Sequence, residues 1–285
     1  AASGHVGWPG PALRRIVHPI LFTVGSFPIH AYGALGALAF LVGAGIVIWR
    51  GSQGGHEPNR VADVVFAGAV AALLGARGLY VLQVPESVQS SLDLLDLRGG
   101  GLVFYGALLL GIPVGTLAMR WRGMPLLPTW DGVATALPVA HAISRIGCFA
   151  AGCCYGRPTD VAWAVRYPPG RLLPEVPVHP VQLYEAAALL GIGVVVNALY
   201  PRRRFDGQVV GIYLLLYAVV RAVLETFRGD LERGSFLPGL LGPSLSFSQG
   251  ASAVLGLGAA ALLLVLGRRA ARRRAVGASI IGPRS

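Results

Sequence analysis

The chain has 285 residues, of which 54% are hydrophobic and only 13% are charged. A soluble domain carries roughly 25% charged residues, so this composition excludes an ordinary soluble protein. The formal net charge of +11 comes from arginine, since the sequence contains no lysine. Most arginines lie in short segments between apolar stretches, a pattern typical of membrane topology and of contact with anionic lipids. We therefore predict no nucleic-acid partner.

Seven apolar stretches each approach the roughly 20 residues that a helix needs to cross a bilayer. They lie near residues 27–49, 61–83, 101–119, 128–149, 181–200, 207–227 and 246–267. The sequence thus predicts an all-α polytopic membrane protein with about seven transmembrane helices, in a single integral membrane domain over 1–285. Residues 1–26 are expected to form an amphipathic or loosely ordered lead-in, without a cleaved signal peptide.

The arginines also predict how the chain is oriented. Arginine-rich segments follow the first, third, fifth and seventh stretches, and the positive-inside rule places such segments in the cytoplasm. The amino terminus is then outside, and residues 268–285 form a basic cytoplasmic tail. A loop over about 150–180 falls on the outer side, and loops of this length tend to be functional.

Polar side chains inside the spans must face one another, a cavity or the interface, because the bilayer interior holds no water. An arginine in such a position is by default a functional-site hypothesis. The polar residues in or at the ends of the seven stretches are His30, Tyr32, Arg77, Tyr105, Asp131, His141, Arg145, Gln182, Tyr184, Glu185, Tyr217, Arg221, Glu225 and Arg228. A channel or ion pump is disfavoured, because no chain of acids crosses the bilayer.

One polar stripe follows the sixth stretch. Tyr217, Arg221, Glu225 and Arg228 recur at spacings of four, four and three, so they share one helix face. One interpretation is a neutralised ladder that docks the helix against its neighbours. The other interpretation is a binding site. Two arginines against one glutamate leave a surplus of positive charge, which suits an anionic ligand such as a lipid phosphate.

The fourth stretch carries a second candidate pair. His141 and Arg145 lie four residues apart on one face, although a lone histidine is more often a packing residue. Asp131 lies near the other end, where it could cap the helix or contact headgroups. In the third stretch, glycines 99–101 and Gly106 allow bending or close approach to a ligand, but such glycines are also common packing residues.

Three cysteines follow Arg145 within nine residues. Cys148, Cys153 and Cys154 lack a fourth ligand at conventional spacing, so we predict no metal site. The thiols could be inert packing groups, or Cys148 could form a disulfide with either of the others on the oxidising outer side. A reactive thiolate beside Arg145 is the third alternative. No cofactor is predicted, and the sparse acids disfavour Mg²⁺ or Ca²⁺.

Three segments together resemble the bacterial prolipoprotein diacylglyceryl transferases. Residues 145–157 are similar to the family signature, residues 179–185 to the family's His-Pro-x-Gln-Leu-Tyr-Glu motif, and residues 217–228 to its Tyr-x3-Arg-x3-Glu-x-Phe-Arg stripe. Shorter matches are Tyr32-Gly33, Asp131 and the glycine-rich segment 99–106.

The resemblance implies transfer of the diacylglyceryl group of phosphatidylglycerol to the lipobox cysteine of a prolipoprotein, in the bacterial inner (plasma) membrane. The partners would be phosphatidylglycerol, the prolipoprotein signal peptide and the lipid bilayer. Arg145 and Arg221 would hold the phosphate and stabilise charge as the C–O bond breaks. The implied substrate-binding residues are Tyr32, Gly100, Gly106, Asp131, Cys148, Gly156, Tyr184, Glu185, Tyr217, Glu225 and Arg228.

Three positions depart from the family pattern. Tyr105 stands where the family has a histidine proposed as a base, and Cys148 and Cys153 replace an asparagine and a glutamate. Because tyrosine has a pKa near ~10, it is a poor base at neutral pH. His141 or phosphate-assisted deprotonation could take over, so the catalytic candidates are Arg145, Arg221, Tyr105 and His141. The alternatives are a diverged headgroup transferase with another acceptor and a non-catalytic phospholipid-binding protein.

Overall fold

A computed structural model describes residues 20–25, 27–87, 101–167, 176–229 and 246–280. Within these residues, seven helices are long and apolar enough to cross a membrane, which confirms the predicted fold class. The helices are α1 (Ala31–Gln53), α2 (Pro58–Gln83), α3 (Phe104–Trp121), α4 (Leu126–Ala151), α5 (Val181–Leu199), α6 (Gln208–Glu225) and α7 (Phe247–Ile280). Short 3-10 turns follow α2 at Pro85–Ser87 and α5 at Tyr200–Arg202.

The start of the first span differs from the prediction. Two antiparallel strands, β1 (Ile20–Val24) and β2 (Phe27–His30), form a hairpin, and α1 begins only at Ala31. Gly25 lies between the strands with a φ of 60°, a left-handed conformation that glycine adopts at little cost. The mixture of β-branched and aromatic residues in β1 favours a strand. The predicted lead-in over 1–26 is therefore wrong for the described residues 20–25.

The seventh span also has different limits. We predicted its end near residue 267, whereas α7 continues to Ile280. The described part of the predicted basic tail is thus helical and continuous with the span. The remaining five spans agree with the prediction to within a few residues at each end.

The helices differ in how deeply they are buried. The most apolar windows of α4, α5 and α6 are 44%, 33% and 39% buried within the protein, against 11–17% for the other four helices. Side chains of α4, α5 and α6 are therefore shielded by protein, whereas the outer helices present most of their apolar surface outward. A polar cluster in a membrane protein belongs on such inner helices.

Glycine allows two helix pairs to approach closely. A Cβ atom added to Gly106 of α3 would overlap the carbonyl group of Gly75 of α2, and the reverse also holds. Along α1 and α4, Tyr32 lies beside Gly147 and Arg50 lies beside Gly132, so these two helices run antiparallel. Small residues at such contacts are typical of packing between membrane helices. The packing brings the start of α1 to the end of α4.

Candidate active site

Arg145 lies at the centre of a polar cluster between α4 and α5. Its Nε atom is 3.1 Å from Oε2 of Glu185, and the two side chains are only 17% and 2% exposed. The same Nε donates to Nε2 of His141 at 3.2 Å, one turn earlier on α4. A buried charge needs an opposite charge and good hydrogen bonds. Glu185 therefore fixes the guanidinium of Arg145.

A second buried ion pair lies on α6. Nη1 of Arg221 contacts Oε2 of Glu225 at 2.6 Å, and Glu225 is 2% exposed. Nη2 of Arg221 donates to Oγ of Ser248 at 2.9 Å, at the start of α7. The ion pair of Arg145 with Glu185 adds one charge of each sign, so the predicted surplus of one positive charge is unchanged. Two arginines and two glutamates form this inner site.

The two ion pairs meet around His141 and Tyr217. The rings of these residues have centroids 5.6 Å apart, and both Arg145 and Arg221 lie close enough to His141 to interact electrostatically with it. Tyr217 interacts in the same way with both arginines and with Tyr105. The predicted catalytic candidates are therefore neighbours in the structure, although they come from three different helices.

His141 is an unsuitable free base in this arrangement. Nε2 accepts a hydrogen bond from Arg145 and lies 3.7 Å from Oε1 of Glu185. The shorter contact assigns a lone pair, rather than a proton, to Nε2. That lone pair is directed at the guanidinium of Arg145, so His141 orients the arginine. Tyr105 is 46% exposed and packs edge-on against Phe247, at the mouth of the cluster.

Residues after α4 form a small folded cap beside the cluster. Gly156 donates its backbone N–H to the carbonyl of His179 at 2.9 Å and bridges to Arg228. A Cβ atom on Gly156 would lie 2.6 Å from His179 and 2.7 Å from Val181, which explains the glycine. The motifs 145–157, 179–185 and 217–228 thus meet in the structure, through backbone contacts of Gly156 with His179 and Arg228.

Tyr184 belongs to this cap rather than to the arginine cluster. Its hydroxyl accepts a hydrogen bond from Trp163 at 2.6 Å and lies 3.2 Å from Nδ1 of His179. Partial burial and the positive charge of Arg157 lower the pKa of His179. The neutral ring then packs against Tyr184, so we assign Tyr184 to the cap.

The three thiols lie together at the end of α4. All three cysteines are free, and their Sγ atoms are within 4.8 Å of one another. Cys148 is buried, Cys154 is half-buried and Cys153 is exposed. Hydrogen bonds with the other two thiols, and the positive charge of Arg228 and Arg145, lower the pKa of Cys154. The thiols are therefore a local cluster next to Arg145.

Four further predicted residues lie outside this cluster. Asp131 is fully buried and accepts hydrogen bonds from the backbone N–H groups of Gly207 at 2.8 Å and Val210 at 2.9 Å. It caps α6 at the end of the bundle opposite Arg145, roughly 21 Å away along α4. Gly106 packs against α2, and Gly100 lies outside the described residues. Tyr32 is half-exposed at the start of α1, near Arg145 and the thiols.

Sequence reasoning missed Ser248 and named Gln182 only as a polar residue, without a role in the site. Ser248 contacts Arg221, and Gln182 donates to the carbonyl of Cys153 at 2.5 Å and to Tyr167 at 3.0 Å. Burial raises the pKa of Tyr167 to about 12, so its hydroxyl stays protonated at neutral pH. Gln182 was visible as a polar residue at the start of an apolar span. Ser248 carried no comparable signal.

Comparison of the sequence with known proteins shows the family. The profile of the family described as prolipoprotein diacylglyceryl transferase matches residues 19–265. A phosphatidylglycerol–prolipoprotein diacylglyceryl transferase of Methylibium petroleiphilum is 34% identical over 88% of this chain and 97% of the relative. A protein of the same name from Bordetella avium is 33% identical over 90% and 97% of the two chains. One from Clostridium tetani is 28% identical over 74% and 86%. The chain is therefore a multi-pass membrane protein that belongs to the prolipoprotein diacylglyceryl transferase family.

Proposed function

We propose that the protein transfers the diacylglyceryl group of phosphatidylglycerol to the lipobox cysteine of a prolipoprotein, in the bacterial inner membrane. The observation that supports this most strongly is the meeting of Arg145 and Arg221 around His141 between inner helices. The relatives' names supply the reaction class. The predicted orientation would place this cluster and the cap near the outer face of the membrane.

The phosphate of phosphatidylglycerol fits between the two arginines. Among the described residues, Arg145 has its contacts to Glu185 and His141 through Nε, so its terminal amino groups are the donors for a phosphate. A planar guanidinium matches two phosphate oxygens at once. The glutamates hold the arginines in place, so little reorganisation is needed when a ligand arrives.

Transfer then needs a thiolate and a stabilised leaving group. The acceptor sulfur attacks the glyceryl carbon that carries the phosphate ester, a C–S bond forms, and the C–O electron pair goes to the phosphate oxygen. Arg145 and Arg221 stabilise the charge that grows on that oxygen, an effect that is large in a water-poor site. Glycerol phosphate leaves, and the product is a thioether.

The test combines purified protein in phosphatidylglycerol-containing micelles with a lipobox peptide that has one cysteine. We expect a diacylglyceryl mass gain on the peptide, which Arg145→Ala and Arg221→Ala each reduce by at least about 100-fold. Arg122→Ala is the matched control, because Arg122 forms a half-exposed ion pair with Asp63 at the opposite end of the bundle. Such surface pairs contribute about 0–1 kcal/mol, so activity should stay within about twofold.

One observation favours a second candidate function. Tyr105, at the mouth of the cluster, lacks the basicity of a histidine, which would suit a headgroup transferase with a different acceptor. The same assay separates the two. Release of glycerol phosphate without modification of the peptide would favour the other acceptor. Bound phosphatidylglycerol without any release would contradict both transferase proposals and leave lipid binding alone.

A further inference from the structure

We propose that Cys148, Cys153 and Cys154 bind one zinc ion, and that the fourth position of this ion receives the acceptor thiolate. This inference rests on the proposed function, because it assigns the step that activates the acceptor. The sequence by itself predicted no metal site, since a fourth protein ligand is missing. A catalytic zinc site, however, has three protein ligands and one open position.

The distances between the thiols suit a single metal ion. All three Sγ atoms lie within 4.8 Å of one another. Zinc is tetrahedral with Zn–S bonds of about 2.3 Å, which places sulfur ligands about 3.8 Å apart. Side-chain rotations that move the sulfur atoms by about an ångström would therefore bring them around one ion. In the described part of the chain, this is the one group of three or more Cys, His, Asp or Glu side chains close enough to hold a metal.

The backbone is shaped to bring these thiols together. Gly152 ends α4 with a φ of 72°, and Cys154 has a φ of 59°. No other described non-glycine residue has a positive φ. A left-handed conformation costs a non-glycine residue about 1–2 kcal/mol, and such strain is concentrated at functional sites. The two positive φ angles turn the chain back, so that Cys153 and Cys154 face Cys148 in the last turn of α4.

Several hydrogen bonds hold this turn. The N–H of Cys153 donates to the carbonyl of Cys148 at 3.2 Å, and the N–H of Gly152 donates to the carbonyl of Phe149 at 3.1 Å. Gln182 of α5 holds the carbonyl of Cys153 at 2.5 Å. The buried start of α5 thus fixes the loop at residues 152–154, which we call the thiol loop. Ligands held in this way are pre-organised for a metal.

The local charge also favours an ion bound by three thiolates. Three thiolates and one Zn²⁺ carry a net charge of −1, and Arg145 and Arg228 lie close enough to Cys154 to interact electrostatically with it. Because these arginines are positive, they stabilise the thiolate form of the ligands. Cys153 is exposed while Cys148 is buried, so the cluster is accessible from one side. An incoming thiol would reach the ion from that side.

A zinc ion would explain how the chain works without a histidine at position 105. The acceptor thiol replaces the water on zinc and releases its proton to solvent, because a thiol bound to zinc is deprotonated outright. The sulfur lone pair then forms the C–S bond, and the C–O electron pair leaves with the phosphate oxygen held by Arg145 and Arg221. The neutral thioether is a poor ligand, so water returns to the ion. No side chain has to act as the base.

Metal content is the first test. The protein is purified from zinc-supplemented cells, with a reductant and without chelators, and zinc is measured by mass spectrometry. We expect about one zinc per chain, and at least a tenfold lower content in Cys148→Ser, Cys153→Ser and Cys154→Ser. Arg221→Ala is the matched control, because Arg221 is not one of the two arginines beside Cys154, so this variant should lose transfer and keep zinc. The inference is overturned if the wild-type protein binds no zinc, if the serine variants keep it, or if two of the thiols form a disulfide.

Cobalt gives a second measurement that does not depend on the serine variants folding. Co²⁺ in the wild-type site should show tetrahedral d–d bands and a sulfur-to-cobalt charge-transfer band. A lipobox peptide with one cysteine should raise the charge-transfer band by about a third, since three thiolates become four, and a peptide with serine should leave it unchanged. No change with the cysteine peptide would contradict the acceptor role.

The outcomes separate this inference from the proposed function. Full transfer by metal-free protein would overturn the zinc site and leave the transferase intact. Zinc and peptide binding without any transfer would support the site and overturn the proposed function. Transfer that is lost on zinc removal and restored by zinc would support both.

Discussion

Both ends of the helix bundle bury an arginine, and the two arginines have different partners. At one end, Arg145 contacts Glu185 and His141 through Nε. At the other end, Arg50 is 8% exposed, and its described partners are uncharged. Its terminal nitrogens donate to Gln53 at 3.0 Å and Asn197 at 2.9 Å.

Aromatic rings complete the surroundings of Arg50. Its guanidinium carbon lies 4.3 Å from the ring centroid of Trp49 and 4.4 Å from that of Tyr200. Cation–π contacts of a desolvated guanidinium contribute about 2 kcal/mol. Both terminal nitrogens donate to amide oxygens and two rings contact the group, so Arg50 is held by uncharged neighbours. Buried arginine alone is therefore a weak sign of function, and the residues around it have to be compared: Arg145 and Arg221 share one cluster, whereas Arg50 lies at the other end of the bundle.

Of three substitutions that test this comparison, removal of the charge of Glu185 should have the largest effect. Glu185→Gln keeps the shape of the side chain, but Arg145 loses its ion pair and its fixed position. We expect kcat to fall by roughly 10- to 100-fold, because small errors in position cost that much. The KM for phosphatidylglycerol should change less, since the guanidinium remains charged. Separate measurement of kcat and KM checks this, and an unchanged kcat would contradict a positioning role for Glu185.

Replacing Arg50 should affect stability instead of activity. Arg50→Leu removes the contacts to Asn197 and Tyr200 and leaves a buried amide oxygen unsatisfied, which costs about 1–3 kcal/mol. We expect a lower thermal midpoint in micelles, with activity per folded molecule within about twofold of the wild type. A loss of activity at full stability would show that both ends of the bundle take part in the reaction.

Asp131 should give the smallest change of the three. Asp131→Ala removes the side chain that caps α6, and loss of such a cap costs about 0.5–2 kcal/mol. Asp131→Asn keeps one acceptor oxygen and should lose less. Thermal unfolding of both variants tests whether Asp131 stabilises the start of α6, and the transfer assay should give nearly wild-type rates. A large drop in phosphatidylglycerol binding would restore the substrate-binding role predicted from the sequence.

Much of the site could be predicted, because membrane burial makes polar residues rare. His141, Arg145, Arg221 and Glu225 stood out as charged or polar groups in apolar stretches, and the structure brings them together. Asp131 stood out for the same reason and yet caps a helix. Polarity inside a span shows that a side chain has a partner, but the sequence does not say whether that partner is a ligand or backbone.

The hairpin before α1 was missed for a related reason. Its residues are nearly all apolar, so by composition they extend the first span. In the structure, β1 pairs with β2 across a turn at Gly25, and the helix begins only at Ala31. Strand pairing depends on a partner, so a short apolar run does not distinguish a strand from a helix.

The sequence by itself determined the seven spans, their approximate limits and the family, because apolar length and motif spacing are local properties of the chain. Only the tertiary structure decided which polar groups meet. Glu185 pairs with Arg145 across two helices, Gln182 holds the thiol loop, and a left-handed Cys154 turns three thiols toward one point. These contacts join residues that are distant in the sequence or depend on one backbone angle, so helix packing and loop conformation, and not composition, create them.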